Sequence, residues 1–155
     1  MDFEEIKIEV LKAYTRALKY LSYRPRSEKE IRDRLAKKHF DSMIIDQVID
    51  KLKEDKFLDD TGFAQWWTEQ RQDFRGKSKF VIKSELSEKG IDRNTIDATL
   101  TNAKDDLKTA KEFLDRKKRR FENYTGDEYK KKVIGFLQRK GFSWDVIQKV
   151  LKDEN

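Results

Sequence analysis

Few residues of this chain have both the type and the spacing that a reaction needs. Gly76-Lys77-Ser78 has the closing residues of a phosphate-binding loop, in which glycines let main-chain N–H groups approach phosphate oxygens while a lysine reaches the outer phosphates. That loop also needs a glycine at position 71, which is Arg71, and an apolar strand ahead of it, which is missing. Asp59-Asp60 carries the charge of a metal pair. Adjacent carboxylates just ahead of Phe63-Ala64 are better suited to a helix start, where negative charge meets the positive end of the helix dipole. His39 is the sole histidine and cysteine is absent, so neither a thiol nucleophile nor a Cys or paired-His zinc site can be assembled. No triad is visible, and His39 suits a turn at positive φ better than general-base work. These residues predict a protein that is not an enzyme and takes no cofactor or metal.

Binding chemistry is better represented. Arg24, Arg26 and Arg32 lie around the first third of the chain, Arg75, Lys77, Lys79 and Lys83 in the middle, and Arg116-Lys117-Lys118-Arg119-Arg120 before the last third. A run of five cations circles a helix, so it is more than one solvated face. Lys plus Arg number 36 against 30 Asp plus Glu, a balance that favours an anionic partner. The acidic residues cluster too, from Asp41 to Asp60, and patches of both signs favour a protein or nucleoprotein partner over naked nucleic acid. Trp66 and Trp67, with Phe63, could stack on bases, but their helical spacing fits the apolar body of a middle unit.

The elements that must position these residues are repeated. Ile31, Leu35, Lys38, His39-Phe40, Asp41, Ile45 and Val48-Ile49 recur 51 residues later as Ile82, Leu86, Lys89, Gly90-Ile91, Asp92, Ile96 and Thr99-Leu100. After another 51 they recur as Val133, Leu137, Lys140, Gly141-Phe142, Ser143, Ile147 and Val150-Leu151. In each unit an apolar i, i+4 pair makes a helix stripe, and a glycine or His39 closes the helix in the left-handed region. Asp41, Asp92 or Ser143 then caps the next helix. Another amphipathic segment precedes each pair: Tyr14, Ala17-Leu18 and Leu21; Phe63, Trp66-Trp67 and Gln70; Ala110, Phe113-Leu114 and Lys117. Ser27-x-x-Glu30 reads as a capping box.

This pattern predicts an all-α fold of three tandem three-helix, helix-turn-helix-like repeats of about 51 residues, spanning 1–56, 57–102 and 103–155. Helices are expected at about 3–22, 27–38, 42–54, 60–74, 77–89, 93–101, 103–121, 126–140 and 143–152. A 50-residue unit buries only a small core, so neighbours should stack into an elongated array that can curve. One Pro and six Gly are too few for an all-β sandwich. No run reaches the ~18 apolar residues of a membrane span, and the acidic start is unlike a signal peptide, which predicts a soluble cytoplasmic protein with no membrane partner.

In its ordered set of motifs the sequence resembles the RecX family of bacterial recombination regulators. The stretch carrying the resemblance is Leu58-Asp59-Asp60-x-x-Phe63-Ala64-x-x-Trp67-x-x-x-Arg71, then Gly76-Lys77 and Ile82-x-x-Glu85-Leu86-x-x-Lys89-Gly90-Ile91. Ala17-Leu18-x-x-Leu21 and Arg24-Pro25-Arg26-Ser27-x-x-Glu30-Ile31-x-x-x-Leu35 precede it. Phe57 and His39 depart from the residues usual in that family. The resemblance implies a non-enzymatic monomer that binds the RecA protein and its filament on DNA, inhibiting ATP hydrolysis, strand exchange and coprotease activity. It supplies no catalytic residue, so the contact residues expected from charge are the twelve Arg and Lys named above. Contact with free DNA is expected to be weak and sequence-tolerant. The competing reading is a helix-turn-helix transcriptional regulator, since a tight helix pair also suits a DNA groove; a helical scaffold without nucleic acid is a third.

Overall fold

The computed structural model describes residues 1–154. Among these residues are nine α-helices and no strand: α1 Phe3–Tyr23, α2 Glu28–Lys37, α3 Ser42–Glu54, α4 Asp60–Arg75, α5 Lys79–Glu88, α6 Arg93–Asn102, α7 Asp106–Arg116, α8 Gly126–Arg139 and α9 Trp144–Asp153. They form three tandem three-helix repeats. Leu35, Leu86 and Leu137, equivalent by the 51-residue register, are all fully buried.

The helix ends obey the repeated chemistry. His39, Gly90 and Gly141 have φ of 68°, 79° and 91°, so the same left-handed closure serves all three repeats. The chain then doubles back: the N–H groups of Phe40 and Phe142 donate to the carbonyls of Leu35 and Leu137 at 3.3 and 3.2 Å. Asp92 and Ser143 cap as expected, accepting the N–H groups of Thr95 at 2.8 Å and Val146 at 3.3 Å. Asp41 occupies the same position but makes no side-chain cap bond. Ser27 and Glu30 complete the expected capping box. A second box, Asp2 with Glu5, starts α1 and was not anticipated.

The helices gather into two compact units: Met1–Trp66 with Ser87–Thr95, and Trp67–Leu86 with the chain from Ile96 onward. The division runs through the middle repeat. In the first unit α1 and α2 pack on α3 around Ala13, Ala17, Ile31, Leu35, Val48, Ile49 and Leu52. In the second, α7 and α8 pack on α9 around Ala110, Phe113, Leu114, Val133, Phe136, Leu137 and Ile147.

Two expectations are corrected. Helix α7 is shorter than 103–121: Asp105 caps it by accepting the N–H of Lys108, and after Arg116 the chain tightens into a 3-10 turn, Lys118–Phe121. Phe121 is buried edge-on to Phe136 and Tyr129, and a continued α-helix would not deliver it there. The five-cation run therefore does not encircle one helix. Trp66 and Trp67 are half-buried, while Phe63 and Ala64 supply the buried apolar side chains of α4. A guanidinium lies over each indole: Arg24 over Trp66 at 5.9 Å and Arg71 over Trp67 at 4.9 Å.

Candidate partner-binding surfaces

The cations singled out in the sequence fall into two electrostatic situations. In the first unit they are largely neutralised within the chain. Arg24 pairs with Glu30 at 2.5 Å, and Lys89 reaches the same carboxylate at 3.2 Å. Arg32 is held between Glu28 at 3.0 Å and Asp46 at 2.7 Å. Arg26 donates to the main-chain carbonyl of Tyr20 at 3.3 Å. Burial, followed by the charges of Arg24 and Arg34, lowers the Arg26 pKa, though a guanidinium stays protonated. Burial alone would push the Glu30 carboxyl up, but bonds from Arg24 and Ser27 with the charges of Arg24 and Lys89 hold it below the ordinary range.

Cations that close no ion pair collect in the second unit. Phe113 and Phe136 stack with centroids 5.7 Å apart, and the Lys140 ammonium lies over both, at 4.9 and 5.8 Å. Lys117 and Arg116 face Phe113, and Arg120 faces Phe136. The Lys140 pKa is lowered first by burial and then by the charges of Lys77, Arg75, Arg120 and Lys117. None of the five makes an ion pair among the described residues. Lys118 points elsewhere, to Asp115 at 2.8 Å, and Arg119 is exposed. Lys79 is half-buried and Lys83 exposed, one turn apart on α5.

Backbone geometry supports this arrangement. Gly76 has φ of 60°, and a Cβ there would lie 2.3 Å from the Phe113 ring, so glycine lets the Arg75–Lys77 turn press on the aromatic pair. The Ser78 N–H donates to the Lys140 carbonyl at 3.0 Å, fixing the end of α8 beside the start of α5. Gly76-Lys77-Ser78 is thus a packing turn. Lys140 was missed because its register with Lys38 and Lys89 read as a folding position. Comparing its neighbours across the same register would have exposed it.

All three repeats have counterparts in one family of known proteins. Residues 13–52 match the family model for the first three-helix domain of RecX, 59–100 the second and 104–151 the third. The chain belongs to the RecX family. It is 36% identical over 156 residues to a regulatory protein RecX of Bacillus velezensis, covering 98% of this chain and 59% of the relative. To that of Bacillus subtilis it is 37% identical over 151 residues, covering 95% and 57%. This RecX-family chain therefore spans less than two thirds of the length of these curated relatives. The crystal structure of RecX from Lactobacillus salivarius superposes with a TM-score of 0.77 at 28% identity, covering 95% of this chain and 97% of that one. A second RecX crystal structure superposes at 0.73 with 27% identity, covering 98% and 78%.

Proposed function

We propose that this chain is a non-enzymatic regulator that binds the RecA protein, or its nucleoprotein filament on DNA, and inhibits ATP hydrolysis, strand exchange and coprotease activity. The observation carrying the reading is the match of all three domains, in order, to the RecX domains. The unpaired cations of the second unit support it, because a nucleoprotein filament is anionic and long-range attraction steers encounter. The repeats act as modules with boundaries at 56/57 and 102/103, in a cytoplasmic monomer. Among the described residues no helix is long and apolar enough to cross a membrane.

The deciding experiment is RecA ATPase on single-stranded DNA, with and without the purified protein. The reading expects the rate to fall as the protein is added. Unchanged hydrolysis at saturating protein overturns it, and protection of a single operator sequence in a footprint would indicate a transcriptional regulator.

A further inference from the structure

The repeat supplies an internal comparison between the two units. In the first, Arg24, Ser27, Glu30 and Lys89 form one network, with Arg24 also over Trp66. Fifty-one residues on, the same register gives Arg75, Ser78, Val81 and Lys140, and the aromatic of the preceding helix, offset by 47 residues from Trp66, is Phe113. The difference is the carboxylate, since Val81 stands where Glu30 stood. Val81 faces the turn that carries Lys140: a Cβ on Gly141, next to Lys140, would lie 2.4 Å from its Cγ2.

Glu30 performs two tasks. It accepts the Ser27 N–H at 3.1 Å, and it neutralises Arg24 and Lys89. In the second unit the first task has another solution, because the Ser78 N–H donates to the Lys140 carbonyl. The second has none. Lys140 lies over Phe113 and Phe136, Lys117 and Arg120 lie over the same two rings, and Arg75 and Lys77 flank Gly76, which packs on Phe113; among the described residues no carboxylate pairs with any of them. Lys77 also lies in the field of Glu85, but none of the five cations closes an ion pair; like charges so gathered repel one another, and an external anion relieves that repulsion.

We propose that the position vacated by the Glu30-type carboxylate, between Arg75 and Lys140, is a binding site for a backbone phosphate of single-stranded nucleic acid. Phosphate fits because Arg75 and Arg120 offer forked donors and the lysines point charges. The site reads backbone alone, because Phe113 and Phe136 are buried and stacked on each other, leaving no ring face for a base. This deepens the regulatory reading, on which it rests for the identity of the nucleic acid, by naming what the second unit would hold on a filament.

The test restores the missing charge from within. Val81→Glu should recreate the neutralised network of the first unit, and Lys140→Gln should remove one contact directly. Binding of labelled oligothymidylate to the full chain is measured across a salt series, with helicity and melting as fold controls. Both variants should bind about tenfold more weakly at low salt, and the slope of log K against log salt should shrink by about one for Lys140→Gln. If Val81→Glu fails to fold, Lys140→Gln carries the test. Folded variants with wild-type affinity and slope overturn the site. Displacement of the oligonucleotide by polyglutamate as readily as by unlabelled oligothymidylate overturns the assignment to phosphate. RecA ATPase is scored separately: wild-type protein that binds oligothymidylate through this site yet leaves RecA unaffected defeats the regulatory reading and supports the site.

Discussion

The carboxylate of Asp60 accepts the main-chain N–H of Glu28 at 2.8 Å, so the first residue of α4 holds the first turn of α2. The next repeat does the same: Asp106, the first residue of α7, accepts the N–H of Lys79 at 3.0 Å. At the start of the second repeat the adjacent acids divide their work, since Asp59 serves α4 itself by accepting the Thr61 N–H at 3.0 Å. Asp60→Ala and Asp106→Ala should each cost about 1 to 2 kcal/mol, because each leaves a helix-terminal N–H without its acceptor. Urea unfolding measures the loss, and stability equal to wild type in both variants would rule out the shared caps.

Glycine substitutions should rank by what a methyl group meets. Gly126→Ala places its Cβ in open space at φ 57° and should cost only the backbone term, about 1 to 2 kcal/mol. Gly141→Ala meets Val81 at 2.4 Å and Ser78 at 2.5 Å as well, and Gly76→Ala meets the Phe113 ring at 2.3 Å. Both should lose about 1 to 3 kcal/mol more than Gly126→Ala in chemical denaturation. A reversed order would contradict the packing described for these turns.

Acid should weaken the second unit through Glu85. Burial would raise its pKa, but the Arg71 bonds and charge, aided by Trp67 and Lys77, outweigh burial and hold it below the ordinary 4.5. A carboxyl whose folded pKa is depressed contributes stability that is present above its unfolded pKa and lost as pH falls through the folded one. Arg71→Met should therefore cost about 1 to 3 kcal/mol at neutral pH and flatten the fall in stability below about pH 4.5. Unfolding free energies over a pH series test this, and parallel wild-type and variant curves would refute it.

Partner contact should separate from stability at the cations of α5, half-buried Lys79 and exposed Lys83. The counterparts of Lys79 are Glu28 and Lys130 and those of Lys83 are Arg32 and Ile134, so neither position needs a cation for the common fold. Lys79→Glu with Lys83→Glu should change stability by less than about 0.5 kcal/mol per site and, under the proposed regulatory function, sharply weaken inhibition of RecA ATPase. Wild-type inhibition by this double variant would remove α5 from the contact surface.

The sequence by itself determined the helices, their repetition and their closures, because stripe, terminator and cap are local. An i, i+4 apolar pair such as Ile82 and Leu86 needs only the helical period to share a face, and Gly90 needs only its own φ to end the helix. Counter-ions were decided by tertiary structure, because which carboxylate a cation meets depends on how the helices and turns that carry them pack. Arg24, Arg32 and Lys140 look alike in sequence; Glu30 and Asp46 neutralise the first two, and Lys140 lies in the field of four other cations. The length of α7 was likewise set by long-range packing. Phe121 is drawn to Phe136 fifteen residues later, and that contact breaks the helical period which the basic run alone would have continued.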